Sequence, residues 1–358
     1  MPTNETERDF TERNSGTKRP GRIDPRLFNN IPDAGDGYPG LQRMIRTWAR
    51  NFMRNYMQGG MPFNINMNNH DIIYIDNLEI ESINHRIFFV TTNAELTAVL
   101  DYITAQAISG KVLITNSITD FSYTVNAPGS SFIVEGFGND IVIDADGANT
   151  IWDINACESF VLRNVELDVS TYTALEEAID INEASDNRVL IENVTIIGTG
   201  ADGRGVWIES NNVSVINCYI DNVNSGIQIF GASRCIVADN IVLNCVSGIA
   251  PGSSSQIIIS DNNVESCNIG IFVVTSTYIT ITGNMCFENT IQIQLRTTSN
   301  YNLVSGNNCY GSGVADTGIE INAVADTENT IVGNLILNHN TNYVDNGTNT
   351  YEASNNRA

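Results

Sequence analysis

From residue 160 onward, short runs of apolar residues recur along the chain, and an asparagine interrupts each run. Strands of three to five residues, joined by Asn, Gly and Ser turns, cannot each bury an apolar face alone, and they leave no room for crossover helices. The pattern therefore predicts a parallel β-solenoid in which each repeat forms one coil, stacked about 4.8 Å from the next. The asparagines lie 22 to 29 residues apart, at Asn164, Asn193, Asn217, Asn240, Asn262, Asn284, Asn307 and Asn334.

Two columns of the repeat are mostly apolar, and we predict that both face inward. They are the position three residues before each asparagine and the position directly after it. We expect the asparagines to form a ladder of side-chain amides along the stack, because Asn tolerates the left-handed conformation and bonds nearby backbone. A second phrase, Gly-Ile followed by a short strand, runs half a repeat out of phase, as at Gly226 and Gly270.

The region before the repeats has a different pattern. Apolar residues at helical spacing over residues 94–108 predict a helix with Asn93 as its N-cap and Gly110 as its stop. We expect this helix to cover the open first coil, whose apolar side chains and strand edges would otherwise be exposed. The sequence thus predicts three segments: an N-terminal arm over 1–60, a small strand region with a capping helix over 61–110, and the parallel β-helix over 111–358.

The arm contains one amphipathic segment, residues 41–57, with an apolar stripe on one side and arginines on another. Two interpretations are open. The segment packs on the acidic side of the solenoid, or it packs against copies of itself and anchors the chain to a larger assembly. The candidate anchoring residues are Arg43, Arg46, Trp48, Arg50, Phe52 and Arg54.

Charge is divided unevenly along the chain. Residues 1–60 carry a net charge of +3 and the remainder carries −26, which together give −23. Such an acidic body repels phosphate backbones and anionic lipid, so we expect no nucleic-acid partner and no membrane partner. No apolar stretch reaches membrane-spanning length, and the first thirty residues lack the apolar core of a secretory signal. The seven cysteines show no CxxC spacing, which favours reduced, buried thiols.

The repeat resembles the right-handed parallel β-helix superfamily, the pectate-lyase-like folds that include phage tail spikes and periplasmic NosD-type repeat proteins. The resemblance covers roughly residues 111–350. It implies an all-β, right-handed parallel β-helix of about nine to ten coils with 22 to 24 residues each, preceded by the helical arm and the capping helix. That fold hosts lyases, hydrolases, adhesins and inert spacers, so it does not define the chemistry. The four catalytic strings of polygalacturonase-like relatives are absent from the chain.

Candidate chemistry is limited to carboxylates and aromatic rings. Glycoside hydrolysis needs two carboxyl groups about 5 to 9.5 Å apart, which neighbouring coils of a β-helix can supply. The three histidines lie in no motif, and calcium bridging of acidic loops stays open without a recognisable ligand spacing. The catalytic candidates are Glu166, Asp180, Asp202 and Arg204, and the candidate sugar-stacking rings are Tyr172, Trp207 and Tyr219.

The sequence supports two main functional hypotheses. The first is a virion structural protein, as head decoration, tail spike or fibre, that forms a rigid acidic rod. It would assemble as a homotrimer, contact other virion proteins through residues 1–60, and bind host-surface glycans. The alternative is a polysaccharide depolymerase, a lyase or a hydrolase, acting through carboxylates on the long loops. An exported surface or carbohydrate-binding protein of a cell is a third possibility.

Overall fold

The structure is a computed structural model, and the residues that it describes are 73–75, 86–138, 140–145, 147, 149–172, 176–182, 188–200 and 203–357. All of them lie in one compact unit, Met67–Ala358. The predicted arm over 1–60, its segment 41–57 and the candidate anchoring residues fall outside the described residues. The described part of the chain contains no helix that is long and apolar enough to span a membrane.

One helix and thirty-two strands make up the described residues. The helix is α1 (Asn93–Gln106). The strands before the asparagine repeats are β1 (Ile73–Ile75), β2 (Arg86–Val90), β3 (Ser109–Ile114), β4 (Ile118–Phe121), β5 (Tyr123–Gly136), β6 (Val142–Ala145) and β7 (Trp152–Arg163). The repeats contribute β8 (Glu166–Asp168), β9 (Glu177–Ile181), β10 (Arg188–Glu192), β11 (Thr195–Ile197), β12 (Arg204–Ile208), β13 (Val213–Ile216), β14 (Tyr219–Asp221), β15 (Ser225–Phe230), β16 (Ile236–Ala238), β17 (Ile241–Leu243), β18 (Ser247–Gly252), β19 (Ile258–Ser260), β20 (Asn263–Glu265), β21 (Ile269–Val274), β22 (Thr280–Thr282), β23 (Met285–Phe287), β24 (Ile291–Arg296), β25 (Leu303–Ser305), β26 (Asn308–Tyr310), β27 (Thr317–Ile321), β28 (Thr330–Val332), β29 (Leu335–Leu337), β30 (Thr341–Asp345), β31 (Tyr351–Ala353) and β32 (Asn356–Arg357).

Apart from the antiparallel pair of β1 and β2, the strands stack in three parallel columns, which we call faces A, B and C. The long strands β5 and β7 run through both face A and face B. Face A consists of β9, β12, β15, β18, β21, β24, β27 and β30. Face B consists of β10, β13, β16, β19, β22, β25, β28 and β31. Face C is the eleven-stranded sheet of β4, β6, β8, β11, β14, β17, β20, β23, β26, β29 and β32. The predicted right-handed parallel β-helix is confirmed. Its eleven levels exceed the nine to ten predicted, because the levels before residue 160 lack the asparagine phrase.

Helix α1 packs its apolar side onto the first coil and is a capping helix, as predicted. Leu96, Leu100 and Ile103 are fully buried in the core. The predicted N-cap, Asn93, was wrong: Thr92 is the N-cap, and its side chain accepts a hydrogen bond from the Glu95 backbone N–H. The Asn93 amide instead donates to the backbone carbonyl of Asp120, which leaves Thr92 to satisfy the helix end.

The repeated asparagines occupy two different structural positions. Asn164, Asn193 and Asn217 lie at an exposed corner between faces B and C in the left-handed conformation, with φ from 52° to 57°. The later asparagines lie one residue further along, where they are buried to 1% exposure or less: Asn240, Asn262, Asn284, Asn307 and Asn334. In those coils the corner itself is taken by Asp239, Asp261, Gly283, Gly306 and Gly333, which also have positive φ.

The buried asparagines form the predicted ladder of side-chain amides. From Asn240 to Asn334, each Nδ2 donates to the Oδ1 of the next asparagine at 2.9 to 3.1 Å, and the ladder ends at Asn355. Each Oδ1 also accepts the backbone N–H of the preceding ladder residue. The carbonyl groups of the ladder residues accept from the backbone of the next coil, and the ladder satisfies their backbone N–H groups.

The two positions explain why the prediction of inward-facing columns was wrong in part. Ile216 is level with Ala238, so Asn217 is level with Asp239 and not with Asn240. In the first three repeats, the residue three before the asparagine therefore points outward, as Leu190 does, while its counterpart Val237 is buried. After the ladder asparagines the pattern reverses, and Met285 is 48% exposed.

The last coil ends the apolar core with polar side chains. Arg357 is level with the buried Ile336, and Glu352 is level with the buried Ile331. The two charged side chains form an ion pair, and the Arg357 guanidinium lies 4.3 Å from the ring centroid of Tyr343. Charged side chains thus replace the apolar core residues at this level of the solenoid.

Candidate functional site

The outward side of face A carries one continuous row of side chains at matching register. Asp153 of β7 is level with Asp180 of β9, which is level with Trp207 of β12 and then with Gln228 of β15. Parallel strands hold such neighbours one strand spacing apart, about 4.8 Å. The row therefore places two carboxylates, an indole ring and an amide in a line along the solenoid axis.

A cavity of about 200 Å³ opens on the same face. Its walls include Phe230 and Phe272, and its floor lies over β18, where Ala250 and Gly252 carry little or no side chain. Phe230 is 47% exposed, although large apolar side chains are usually buried. Small residues on β18, between phenylalanines on the strands to either side of it, thus produce an aromatic-walled depression.

Trp207 and Arg204 connect this cavity to the carboxylates. The Trp207 ring stacks on Phe230, with centroids 6.2 Å apart and planes inclined by 27°. The Arg204 guanidinium lies 4.4 Å from the centroid of the Trp207 ring and forms an ion pair with Glu177. The arginine is therefore already engaged by one carboxylate and one indole ring.

Asp180 and Asp153 are the two carboxylates of the row, and each uses only one of its oxygens. Asp180 Oδ2 accepts from the Asn182 side chain at 3.3 Å, while Asp153 Oδ2 accepts from Thr124 and Asn155 at 3.0 Å. The Oδ1 atoms of both residues are buried and have no hydrogen-bond partner.

Burial is the main cause that raises the pKa of Asp180 from 3.8 to about 7, and nearby carboxylates add to it. Those carboxylates are Glu177, Asp153 and Glu209, while Arg204 lowers the pKa of Asp180. A much larger fraction of the Asp180 carboxyl group is therefore protonated at neutral pH than for an ordinary aspartate.

The structure brings together three of the residues predicted from the sequence and separates the others. Asp180, Arg204 and Trp207 lie together on face A. Glu166 and Tyr219 lie on face C, where the Tyr219 hydroxyl donates to Asp221 at 3.2 Å. Tyr172 is 3% exposed, and its hydroxyl donates to the backbone carbonyl of Asn149 at 2.8 Å. Asp202 lies outside the described residues.

Sequence reasoning did not identify Asp153, Phe230 or Phe272. A usable signal existed for the two phenylalanines, because GIQIF and GIFVV place an aromatic residue at an alternate, outward position after the Gly-Ile pair. Asp153 precedes the asparagine repeats, so nothing in the periodicity linked it to Asp180.

The seven cysteines are free thiols in the solenoid core, as their spacing predicts. A hydrogen bond to the Cys267 thiol, with burial, raises the pKa of Cys245 well above 9. Cys286 is level with Cys309, and a hydrogen bond between these thiols raises the pKa of Cys286 in the same way. Within the described ranges, no three His, Cys, Asp or Glu side chains are grouped closely enough to hold a metal ion.

Comparison with known proteins identifies the family and the fold. The family model described as periplasmic copper-binding protein (NosD) matches residues 154–357. No curated protein sequence matches the chain. Among solved structures, the Dettilon tailspike protein is similar with a TM-score of 0.52 and 15% identity over 74% of this chain and 57% of that one. The periplasmic alginate epimerase AlgG is similar with a TM-score of 0.51 and 14% identity over 76% and 70%. The match over more than half of its length shows that the chain belongs to the NosD family of parallel β-helix proteins.

Proposed function

We propose that the protein binds glycans along the outward side of face A. The observation that carries this proposal is the 200 Å³ cavity between Phe230 and Phe272. Flat aromatic rings pack against the C–H faces of sugar rings, while the amide of Gln228 at the rim offers hydrogen bonds to hydroxyl groups. A concave apolar site with a few polar groups at its edge suits a sugar better than it suits a highly charged ligand.

The dimensions of the site favour an oligosaccharide over a single sugar. Three strand spacings, about 14 Å, separate β9, which carries Asp180, from β18, which forms the cavity floor. Trp207, Gln228 and Phe230 fill the distance between them. A ligand that engages both ends therefore has to extend along the solenoid axis over several sugar units.

Affinity electrophoresis through gels that contain neutral, acidic or amino polysaccharides tests this proposal. Retardation of the wild-type protein by at least one polysaccharide is expected, and Phe230→Ala should reduce it. Gly252→Leu should also reduce it, because a Cβ at Gly252 meets Phe230 at an ordinary 3.5 Å and the rest of the side chain fills the cavity.

Tyr351→Ala is the matched control, since Tyr351 is 62% exposed on the last coil, away from face A. This control should migrate as the wild type does. Absence of retardation in every gel, or equal retardation of the wild type and Gly252→Leu, would contradict glycan binding in the cavity.

Glycan cleavage is the second candidate function, and the pKa of Asp180 favours it. A carboxyl group with a pKa of about 7 can donate a proton to a leaving group at neutral pH. We expect Asp180→Asn to abolish the release of reducing ends from any polysaccharide that the wild type cleaves. Release that persists in this variant would remove Asp180 from the reaction.

Three predictions stay open: the virion role, the homotrimer and attachment through residues 1–60. The arm that would mediate the attachment lies outside the described residues. Deletion of residues 1–60 should convert a trimer to a monomer in sedimentation experiments, and a deletion variant that stays trimeric would contradict that role of the arm.

The matching family model is described as periplasmic copper-binding protein, which raises the question of a copper site on this chain. Copper prefers clustered thiolate, thioether or imidazole ligands. In the described residues, the thiols are buried in the core and no three candidate ligands are grouped. These residues do not fit a copper site, and we assign copper no role on face A.

A further inference from the structure

Three neighbouring coils in the second half of the solenoid carry no charge over faces B and C. Their segments on these two faces, residues 280–287, 303–310 and 330–337, contain no Asp, Glu, Lys, Arg or His. The equivalent segment of each of the four coils before them contains a carboxylate, namely Glu192, Asp221, Asp239 and Asp261. We call the outward side of β22, β25 and β28 on face B, together with that of β23, β26 and β29 on face C, the neutral surface.

The two halves of the neutral surface differ in the size of their side chains. Face C presents large ones, with Met285 48% exposed, Tyr310 39% exposed, and the Phe287 ring stacked on Tyr310 with centroids 5.3 Å apart. On face B, the row of outward residues beside the corner is small: Thr282, Ser305 and Val332. The corner itself consists of Gly283, Gly306 and Gly333, so no side chain separates the two halves.

Charge indicates which partner fits the neutral surface. Depletion of charged residues, with aromatic residues and methionine enriched, is typical of the core of a protein interface. A basic partner would gain most from the acidic coils elsewhere on the solenoid. A partner as acidic as this chain is repelled by those coils, since residues 61–358 carry a net charge of −26. The neutral surface therefore suits a second copy of this chain, which can approach closely only where both surfaces are uncharged.

We propose that copies of this chain pack side by side, with the face C half of the neutral surface on one copy against the face B half on the next. The large side chains of face C fill the space above the small row of face B, whereas two face C halves would meet bulk against bulk. A contact between two different surfaces gives each copy two neighbours, so the assembly contains at least three copies. This contact is separate from the one predicted for the arm over residues 1–60, and it leaves face A open to a glycan.

Met285 provides a direct readout of the contact, because it is the only methionine after residue 67. Dilute hydrogen peroxide oxidises exposed methionine, and peptide mass spectrometry measures the rate at Met285 in the full-length protein. The rate should fall as protein concentration rises, in step with the appearance of species of three or more copies in sedimentation velocity experiments. Both effects should strengthen when NaCl rises from about 0.02 M to about 0.5 M, because salt screens the repulsion between acidic copies.

Two variants add one negative charge to each half of the neutral surface. Tyr310→Glu changes face C, and Ser305→Glu changes face B. Each variant should need at least about tenfold more protein to protect Met285, because the contact would bury the added carboxylate without a partner. Circular dichroism of both variants should match the wild type, since neither side chain belongs to the core.

Val246→Glu is the matched control for the added charge. Val246 is 47% exposed, close to the value for Met285, but it lies between faces C and A, two coils before β23. This variant should associate and protect Met285 as the wild type does.

Each outcome supports or overturns the contact between copies. Protection of Met285 that both charge variants weaken and the control retains supports it. Oxidation of Met285 at the same rate at every protein concentration overturns it, even if the copies associate elsewhere. A dimer as the largest species, an effect of only one of the two charge variants, or association that weakens with salt overturns the packing of face C on face B. None of these outcomes bears on glycan binding at face A.

Discussion

Replacement of Asn284 by alanine is a severe test of the asparagine ladder. The Oδ1 atom of Asn284 accepts two hydrogen bonds from Asn262, one from its backbone N–H at 3.0 Å and one from its side chain at 2.9 Å. The Nδ2 atom of Asn284 donates to the Ile259 carbonyl at 2.9 Å and to Asn307 at 3.0 Å. Alanine at this position leaves the Asn262 N–H, the Asn262 amide and the Ile259 carbonyl short of a partner in a buried corner.

Each buried polar group that loses its partner costs about 1–3 kcal/mol, so we expect Asn284→Ala to lower the free energy of unfolding by about 3–6 kcal/mol. Guanidinium unfolding followed by circular dichroism measures this difference. Asn308→Ala is the control, because Asn308 is an asparagine with an exposed side chain on face C of the next coil, and it should change stability by no more than about 0.5 kcal/mol.

A third variant separates hydrogen bonding from packing. Valine occurs naturally at the ladder position in the early coils, at Val165 and Val194, and is buried there. Asn284→Val therefore fills the space but satisfies none of the polar neighbours, and it should lose nearly as much stability as Asn284→Ala. A loss below about 1 kcal/mol in both variants would refute the view that the ladder stabilises the fold by satisfying the buried polar groups of this corner.

Three further predictions concern charged groups. Burial is the main cause that lowers the pKa of His339 below 6.5, so the folded protein resists a proton that the unfolded chain accepts. The free energy of unfolding, measured by urea titration, should therefore fall as the pH drops below about 6.5. The variant His339→Gln should show a smaller fall. The raised pKa of Asp180 has the opposite sign, because stability is lost as pH rises toward 7, so Asp180→Asn should stabilise the protein by about 1–2 kcal/mol at pH 8 and little at pH 4. Arg357→Ala removes the contacts to Glu352 and Tyr343 and should speed hydrogen exchange in residues 341–357 while leaving the central coils unchanged.

The repeat could be predicted from the sequence because coil stacking imposes one spacing on every column. The exact register of each residue within its coil could not be predicted. Asn217 and Asn240 look equivalent in the sequence, but one is an exposed corner residue and the other is a buried ladder residue. Asparagine suits both positions, since it tolerates positive φ and its amide can also replace missing backbone hydrogen bonds. An ambiguity of one residue reverses which side chains point outward.

The candidate site was predictable by residue type but not by location. Asp180, Arg204 and Trp207 were candidates, yet nothing in the sequence distinguished them from Glu166 and Tyr219, which the structure places on face C. The separation depends on which strand of a coil carries each residue. Asp153 and Asp180 lie 27 positions apart, and only the register of β7 with β9 brings their carboxylates together.

The same stacking that stabilises the solenoid also determines what face A can bind. In-register strands repeat each outward position along the axis, so a row of side chains presents its groups at the spacing of the strands. Here that row changes from carboxylates at Asp153 and Asp180 to aromatic walls at Phe230 and Phe272. A glycan that contacts both ends must therefore be extended along the solenoid axis, with its ring faces packed on the aromatic end.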